Sequence, residues 1–462
     1  MMKWYPPSGS DGRCGLPGGR ISRAKASGRV PAAVIANRRS SAATDRPLWF
    51  STAAPGPLLA PLRGQSETDV LVIGGGIAGA TTALHLAERG VEVTLVEGDQ
   101  PGGGATGQSG GLVAPDYIRH SPNTICDTLG AEAGARLTRM IGDSAGFVFD
   151  LIDKHGIDCD PRQDGFYTPA HTGVMAKNQR AHADQWRALG YDVEFVEAAA
   201  SERLFGSQRY SGALRFAAGG SLNPLGYVRG IVRAALDGGA RVFADSRVIS
   251  LQRRGGTWVC RTREGTIRSR RLVLAANGGN AALHPAMART SLPLHVVQFA
   301  TAPLSPQERM ATLPEGGAFT DKRPYLFTAR TDGLGHLISG YPTTLFVRSE
   351  RAQCREAERR LRQNFAALPD PEISHLWRGL AWVNTSLLPE VYDLGDEAIA
   401  IQACNGRGIA TNTALGAEVA EMLATGDREV LSVKPSRPEP IRFHAIAALL
   451  PKLLMSLAYI SD

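Results

Sequence analysis

Along this chain, apolar runs of strand length alternate with helical stretches and glycine clusters. The clearest case is Val70, Leu71, Val72 and Ile73, which lead directly into Gly74-Gly75-Gly76-Ile77-Ala78-Gly79. A helical stretch follows, then a second apolar run that ends at Glu97. This order predicts strand, tight turn, helix, strand. Residues 131–155 read as a helix with Phe147, Phe149, Leu151 and Ile152 at its buried end. Over 225–237, Val228, Ile231, Val232, Ala235 and Leu236 share one helical face, and Gly238-Gly239 ends the helix. Strands are predicted at 240–244, 247–254, 257–264, 270–276, 295–304, 324–330, 336–342 and 397–403. A polar helix is predicted at about 349–366, and a last one starts at the glycine turn after residue 403. No internal repeat is present.

The two ends depart from this alternation. Residues 1–45 are rich in Arg, Gly, Ser, Ala and Pro without apolar periodicity, which predicts a disordered basic extension. Their acid-poor character is shared by organellar transit segments. No amphipathic helix or secretory order is legible, which favours a flexible tail or a start assigned too early. Residues 46–65 read as an extended, Pro-rich lead-in, with Trp49 and Phe50 packing on the body. Residues 441–459 are apolar but interrupted by Pro451 and Lys452. A helix docked over the body is the favoured expectation there, and a peripheral membrane contact the alternative. With no run of 18 apolar residues, no spanning helix is expected.

A chain of 462 residues exceeds one ordinary core, so two or more domains are expected. The formal charge of +7 is misleading: residues 1–63 carry +8 and the remainder −1. The basic balance comes from the extension, so the body need not bind nucleic acid, and none is expected as a partner. Six cysteines, at 14, 126, 159, 260, 354 and 404, form no C-x-x-C pair. This argues against a zinc site or disulfide framework and suits a reducing, cytoplasmic compartment.

The first glycine cluster carries specific chemistry. Gly74 allows the sharp turn, Gly76 lets backbone approach a pyrophosphate, and Gly79 lets helix and strand pack closely. Free N–H groups and the helix dipole, with Ile77 and Ala78 in the first turn, favour phosphate there. Glu97 is placed to accept hydrogen bonds from an adenosine ribose. An acid there disfavours a 2′-phosphate, and so NADP. A bare G-x-G-x-x-G is weak, but here every required neighbour is present.

Further glycine-rich segments follow in order: PGGGATGQSGG (101–111), VLAANGG ending at Gly279, and CNGRGIATNTALG from Cys404. With these in place the chain resembles the amino-acid and amine oxidase family of flavoproteins, which includes D-amino-acid, glycine and sarcosine oxidases. Within it the chain is most similar to the gamma-glutamylputrescine oxidase type, over about residues 46–459.

The resemblance implies an α/β fold, with a Rossmann-type FAD-binding domain interleaved with an α+β substrate domain built on an antiparallel sheet. The FAD domain would take 46–115, 216–290 and 380–459, including the C-terminal docking helix. The substrate domain would take 116–215 and 291–379. It implies non-covalent FAD, since 382–392 holds no Cys for attachment. Cofactor contacts would come from Gly74, Gly76, Ile77, Ala78, Gly79 and Glu97; from Gly104, Ala105, Thr106, Gly107, Ser109, Gly110, Gly111 and Leu112; from Val248 beside the adenine; from Ala276, Asn277 and Gly278; and from Gly406, Arg407, Gly408 and Ile409 at the pyrimidine end. No metal site is implied.

The sequence departs from the family in places. Many relatives carry W-A-G-L-R-P-x-T-P-D-x-x-P, but here Ala381 takes the place of the carboxylate-clamping arginine and Ser386 that of the Asp. Alanine cannot hold a carboxylate as a guanidinium does, so a simple alpha-amino acid held there is disfavoured. Gln108 replaces an arginine in the glycine loop. The implied reaction oxidises the C–N bond of a primary or secondary amine, either gamma-glutamylputrescine-like or an amino-acid derivative. Hydride would pass to the flavin, the imine would hydrolyse, and oxygen would become hydrogen peroxide. Arg323 and Tyr325, on a strand expected to face the flavin, and Trp382, as an aromatic wall, are the substrate-site candidates. Oxygen-using relatives often place a lysine near the flavin; none is assigned here, and Lys322 is the nearby candidate. The alternatives are a dehydrogenase passing electrons to a quinone or carrier, a flavin-binding subunit of a hetero-oligomer and, more weakly, an NAD-dependent enzyme.

Overall fold

The computed structural model describes residues 45–461. The expected basic extension lies outside them, apart from its last residue. The lead-in makes one helical turn, α1 (Trp49–Thr52), then runs extended into β1 (Gly64–Ile73). Trp49 is buried as expected, but Phe50 is exposed beneath the Arg46 guanidinium. α2 (Ile77–Glu88) and β2 (Val93–Val96) complete the first unit. Val70–Ile73 and Val93–Val96 are buried throughout, as a parallel strand covered on both faces requires.

The chain next makes the short β3 (Leu112–Val113), α3 (Pro122–Leu129) and α4 (Ala131–His155). It then lays down β4 (Phe166–Pro169), α5 (Gly173–Ala188), β5 (Val193–Glu197), α6 (Ala198–Phe205) and β6 (Gly212–Phe216). The short β7 (Gly220–Ser221) pairs β3. α7 (Pro224–Asp237), β8 (Arg241–Phe243), β9 (Ser250–Arg254), β10 (Thr257–Arg261) and β11 (Gly265–Leu274) return to the first sheet. Asn223 caps α7 by accepting from Leu225 and Gly226 N–H, and Gly238 ends it.

After α8 (Asn280–Leu283), β12 (Leu292–Thr301) re-enters the second sheet. There follow α9 (Pro306–Ala311), β13 (Ala318–Thr320), β14 (Thr328–Thr331), β15 (Leu337–Pro342), α10 (Glu350–Asn364) and β16 (Ile373–Val383). β17 (Glu390–Gly395), β18 (Ala398–Gln402) and α11 (Gly408–Thr425) finish the first unit; α12 (His444–Ala447) and α13 (Leu450–Ser461) end the chain.

Two eight-stranded sheets result. One runs β17-β18-β11-β1-β2-β8, with β10 and β9 beside β11. Its β18, β11, β1, β2 and β8 are mutually parallel. The other runs β16-β12-β15-β14-β13-β4-β6-β5 and is antiparallel except at β13–β4. This is the expected α/β architecture: a Rossmann-type layer and a second, antiparallel sheet whose strands alternate with it along the chain.

Two expectations need correction. The strand expected over 324–330 begins only at Thr328. The Asp321 carboxylate accepts the N–H groups of Arg323 (3.3 Å) and Phe327 (2.8 Å), so 321–327 curls into a loop. The C-terminal segment is only half a docking helix. Ser456 and Ala458 are buried, yet Leu449, Leu450, Leu453, Leu454, Leu457 and Ile460 face outward. The stretch His444–Ser461 is also long and apolar enough to cross a membrane, although no spanning segment was expected from the sequence.

Candidate functional site

Because β1, β2, β11 and β18 are parallel and adjacent, their carboxyl ends lie along one edge. Ile73 is level with Val96 and with Leu274, and Leu274 with Ala400. Four segments therefore emerge side by side: Gly74–Gly79, Glu97, Ala276–Gly278 and Gly406–Gly408. At about 4.8 Å per strand, the β1 and β18 turns start roughly 10 Å apart. In open α/β sheets this edge is where ligands bind.

Each glycine of the first turn has its own reason. Gly74 has φ +115° and a Cβ there would sit 2.6 Å from the Ala275 carbonyl oxygen. A Cβ on Gly79 would collide with the Gly74 carbonyl oxygen. Gly76 faces the Thr106 hydroxyl, at 3.4 Å from such a Cβ, leaving its backbone approachable. The Glu97 carboxylate, at the end of β2, accepts the N–H of Gly75 at 2.6 Å and of Asp99 at 2.9 Å. α2 and α11 both start at this edge and pack closely. A Cβ on Gly416 would lie 2.8 Å from the Ala78 carbonyl oxygen, and Thr82 donates to Gly416 O at 3.1 Å.

The glycine loop 104–111 spans from this edge to the second sheet. Trp49 Nε1 donates to Ser109 O (2.9 Å), Trp377 Nε1 to Gln108 O (3.1 Å) and Arg330 Nε to Gly110 O (2.8 Å). Arg330 Nη2 donates to Leu222 O at 2.9 Å. Burial pushes the Arg330 guanidinium down to about 10, against the pull of Asp332 and Asp160. The Gln298 amide on β12 lies against Gly110 and Gly340.

Beyond the loop, Asp116 forms the centre of a buried charge cluster. His182 Nε2 meets its Oδ1 at 2.9 Å. Arg407 Nη1 and Lys322 Nζ lie 3.7 and 3.8 Å from its Oδ2, too long for hydrogen bonds. Burial raises the Asp116 carboxyl, but His182, Lys322 and Arg407 outweigh it and hold it below the usual range. Burial pushes the Lys322 ammonium and the Arg407 guanidinium down, with Asp116 opposing. Lys322 nevertheless keeps 27% of its side-chain surface exposed. Two cations thus share the Asp116 carboxylate, and Arg407 Nη1 also donates to Tyr117 O at 3.1 Å.

The sequence candidates part company in the structure. Trp382 on β16 lies against Gly278, where a Cβ would strike its ring, and its carbonyl accepts the Asn405 N–H at 3.1 Å. It thus stands between the Asn277 turn and the Gly406 turn. Arg323 instead turns inward, donating to Asp321 Oδ2 at 2.6 Å and to Asn364 Oδ1 at 3.3 Å. Tyr325 is fully buried among Arg360, Tyr341 and Tyr459. The curled loop directs both toward protein, while Lys322, their neighbour, reaches Asp116. Val248, partly buried, packs against the core formed by Leu71, Ile73, Trp258 and Ile267.

A family model for DAO, FAD dependent oxidoreductase, matches residues 69–422. The chain belongs to this family. Among similar proteins, gamma-glutamylputrescine oxidoreductase of Escherichia coli (strain K12) is 28% identical over 366 residues, covering 78% of this chain and 84% of that one. The probable oxidoreductase OrdL of Rhizobium meliloti (strain 1021) is 26% identical over 404 residues, covering 86% and 94%. In fold, the L-proline dehydrogenase of P. horikoshii superposes with a TM-score of 0.67 at 17% identity, covering 80% and 96%.

The protein is therefore an FAD-dependent oxidoreductase of the DAO family, of amine or amino-acid oxidase type. Its residues fit the cofactor. The Gly76 backbone is approachable and Glu97 is poised beside it. Ser109 Oγ, Asn277 Oδ1 and Gln298 Oε1, all in or against the segments at this edge, are buried without a hydrogen-bond partner among the described residues. The sequence reading missed Asp116, His182, Arg330 and Gln298. Each lies outside any motif, and only tertiary contact joins it to the glycine segments.

Proposed function

We propose that this DAO-family enzyme oxidises the C–N bond of a primary or secondary amine carrying an anionic group away from the reacting carbon. Gamma-glutamylated polyamines and N-substituted amino acids are such compounds. The imine product would hydrolyse and oxygen would take the electrons to give hydrogen peroxide. The observation that carries this reading is the sharing of Asp116 by Lys322 and Arg407 beside the Gly406–Gly408 turn. The position of the usual clamp is Ala381, so positive charge for a substrate anion must come from elsewhere, and this pair supplies it. The resemblance to gamma-glutamylputrescine oxidoreductase in sequence supports the same substrate class.

FAD would be held by Gly74–Gly79, Glu97, the 104–111 loop and the Gly406–Ile409 turn, and when bound would supply the two-electron acceptor. The chain itself binds and orients. Lys322 and Arg407 hold the anion, and Asp116 keeps both cations from swinging away. Trp382 walls the amine between the two turns and excludes water, which favours the neutral amine needed for oxidation. The N–H groups at the start of α11, which carries no side-chain cap among the described residues, favour negative charge at that end of the site.

The test is anaerobic mixing with a panel of gamma-glutamylated polyamines, N-methyl amino acids, D-amino acids and simple amines. Loss of absorbance near 450 nm followed by peroxide on admitting air supports the proposal. Bleaching by simple amines alone would remove the anion requirement. Reduced protein that persists for minutes in air would point to a dehydrogenase serving a quinone or carrier. A flavin that no amine bleaches would point to a subunit of a larger enzyme.

A further inference from the structure

The outward face of the C-terminal helices is the largest concentration of exposed apolar side chains among the described residues. Phe443, Ile446, Leu449, Leu450, Leu453, Leu454, Leu457 and Ile460 all lie on it, with Phe443 82% and Ile460 68% exposed. On α13, Leu450, Leu453, Leu454, Leu457 and Ile460 recur at three- and four-residue spacing and form one stripe. Phe346, itself exposed, stacks on Tyr459 at 6.0 Å between ring centroids, where the helix meets the body. Soluble monomers rarely leave so large a contiguous patch uncovered.

The opposite side of the same helix is fixed to the body. Ser456 Oγ accepts the Leu345 N–H at 2.9 Å, and the Tyr459 ring packs edge-on against Tyr325 at 5.4 Å. The segment therefore lies along the surface. The stretch His444–Ser461 is long and apolar enough to span, but the Ser456 and Tyr459 contacts hold it against the body, and α13 itself has 12 residues, about 18 Å of helix. Charge then distinguishes the occupants. Arg442 and Lys452 are exposed in this stretch, and no acid lies between Arg442 and Ser461. A second copy related by two-fold symmetry would set these cations against themselves. An anionic lipid surface satisfies cations and apolar stripe together.

We infer that α12 and α13 form an interfacial anchor that seats the enzyme on an anionic membrane surface, with the leucine stripe in the headgroup–acyl boundary. The experiment is co-sedimentation of the full chain with vesicles of phosphatidylcholine alone or with a minority of phosphatidylglycerol, alongside mass measurement in solution. Wild type binds the anionic vesicles. Leu454→Glu/Leu457→Glu lowers partitioning at least about tenfold, and Arg442→Glu/Lys452→Glu removes the preference for phosphatidylglycerol. Val174→Glu, exposed elsewhere, leaves binding unchanged. The inference is overturned if wild type stays in the supernatant. It fails equally if the leucine double variant binds as wild type does, because the basic residues 1–63 then suffice. It also fails if wild type is a dimer that the leucine variant converts to monomer.

Discussion

The Glu97 carboxylate, at the tip of β2, receives the backbone N–H of Gly75 in a 2.6 Å hydrogen bond. It therefore braces the glycine turn from within as well as facing the expected ribose. Glu97→Ala removes both roles. A charge-assisted hydrogen bond contributes about 1–3 kcal/mol, so FAD affinity should fall roughly 5- to 150-fold. Titration of the apoprotein with FAD, followed by flavin fluorescence, measures it.

Gly79 lies against the Gly74 carbonyl with no room for a side chain. Gly79→Ala must push α2 away from β1, and overpacking of this kind costs about 1–3 kcal/mol. A lower melting temperature is expected with or without added FAD. An unchanged melt would show that the turn relaxes freely.

Arg330 ties Gly110 O and Leu222 O to β14 with one planar guanidinium. Arg330→Lys keeps the charge but cannot reach both carbonyls, and each buried carbonyl left without a donor costs about 1–3 kcal/mol. The variant should lose flavin faster on dilution and be cut more readily by protease within 104–111.

His85, on the buried face of α2, is pushed down to about 4 by burial, against the pull of Glu88. The unfolded chain takes up this proton near pH 6.5 and the folded one only near 4. Stability is therefore complete above about pH 6.5 and falls as the pH drops toward 4, by about 3 kcal/mol in total. His85→Gln should flatten this part of the acid limb in denaturant unfolding measured between pH 7 and 4.

Lys322 reaches Asp116 only at 3.8 Å and keeps an open side. Lys322→Met should raise KM for an amine bearing a carboxylate about tenfold or more, with flavin content unchanged. An equal effect on an uncharged amine would assign Lys322 to another role.

What the sequence alone determined is the part governed by local rules. The Gly74–Gly79 turn, Glu97 and the α4, α7 and α11 helices were legible, because turn conformation and burial periodicity depend on neighbours in the chain. The start of β14 was not. Asp321 competes with strand pairing through its own hydrogen bonds, and so aims Arg323 and Tyr325 into the core rather than at the site. In the cluster of Asp116, His182, Lys322 and Arg407, the first two had no signal, and Lys322 and Arg407 were named for other roles without any sign that they meet. Those residues come from a loop, a helix, a second loop and a helix start that only the crossing of the two sheets brings together. The outward face of α13 belongs with them: composition marks it as apolar, but only packing decides which side the body covers. Local backbone geometry is written in consecutive residues, whereas burial and charge pairing depend on what the finished fold places opposite each side chain.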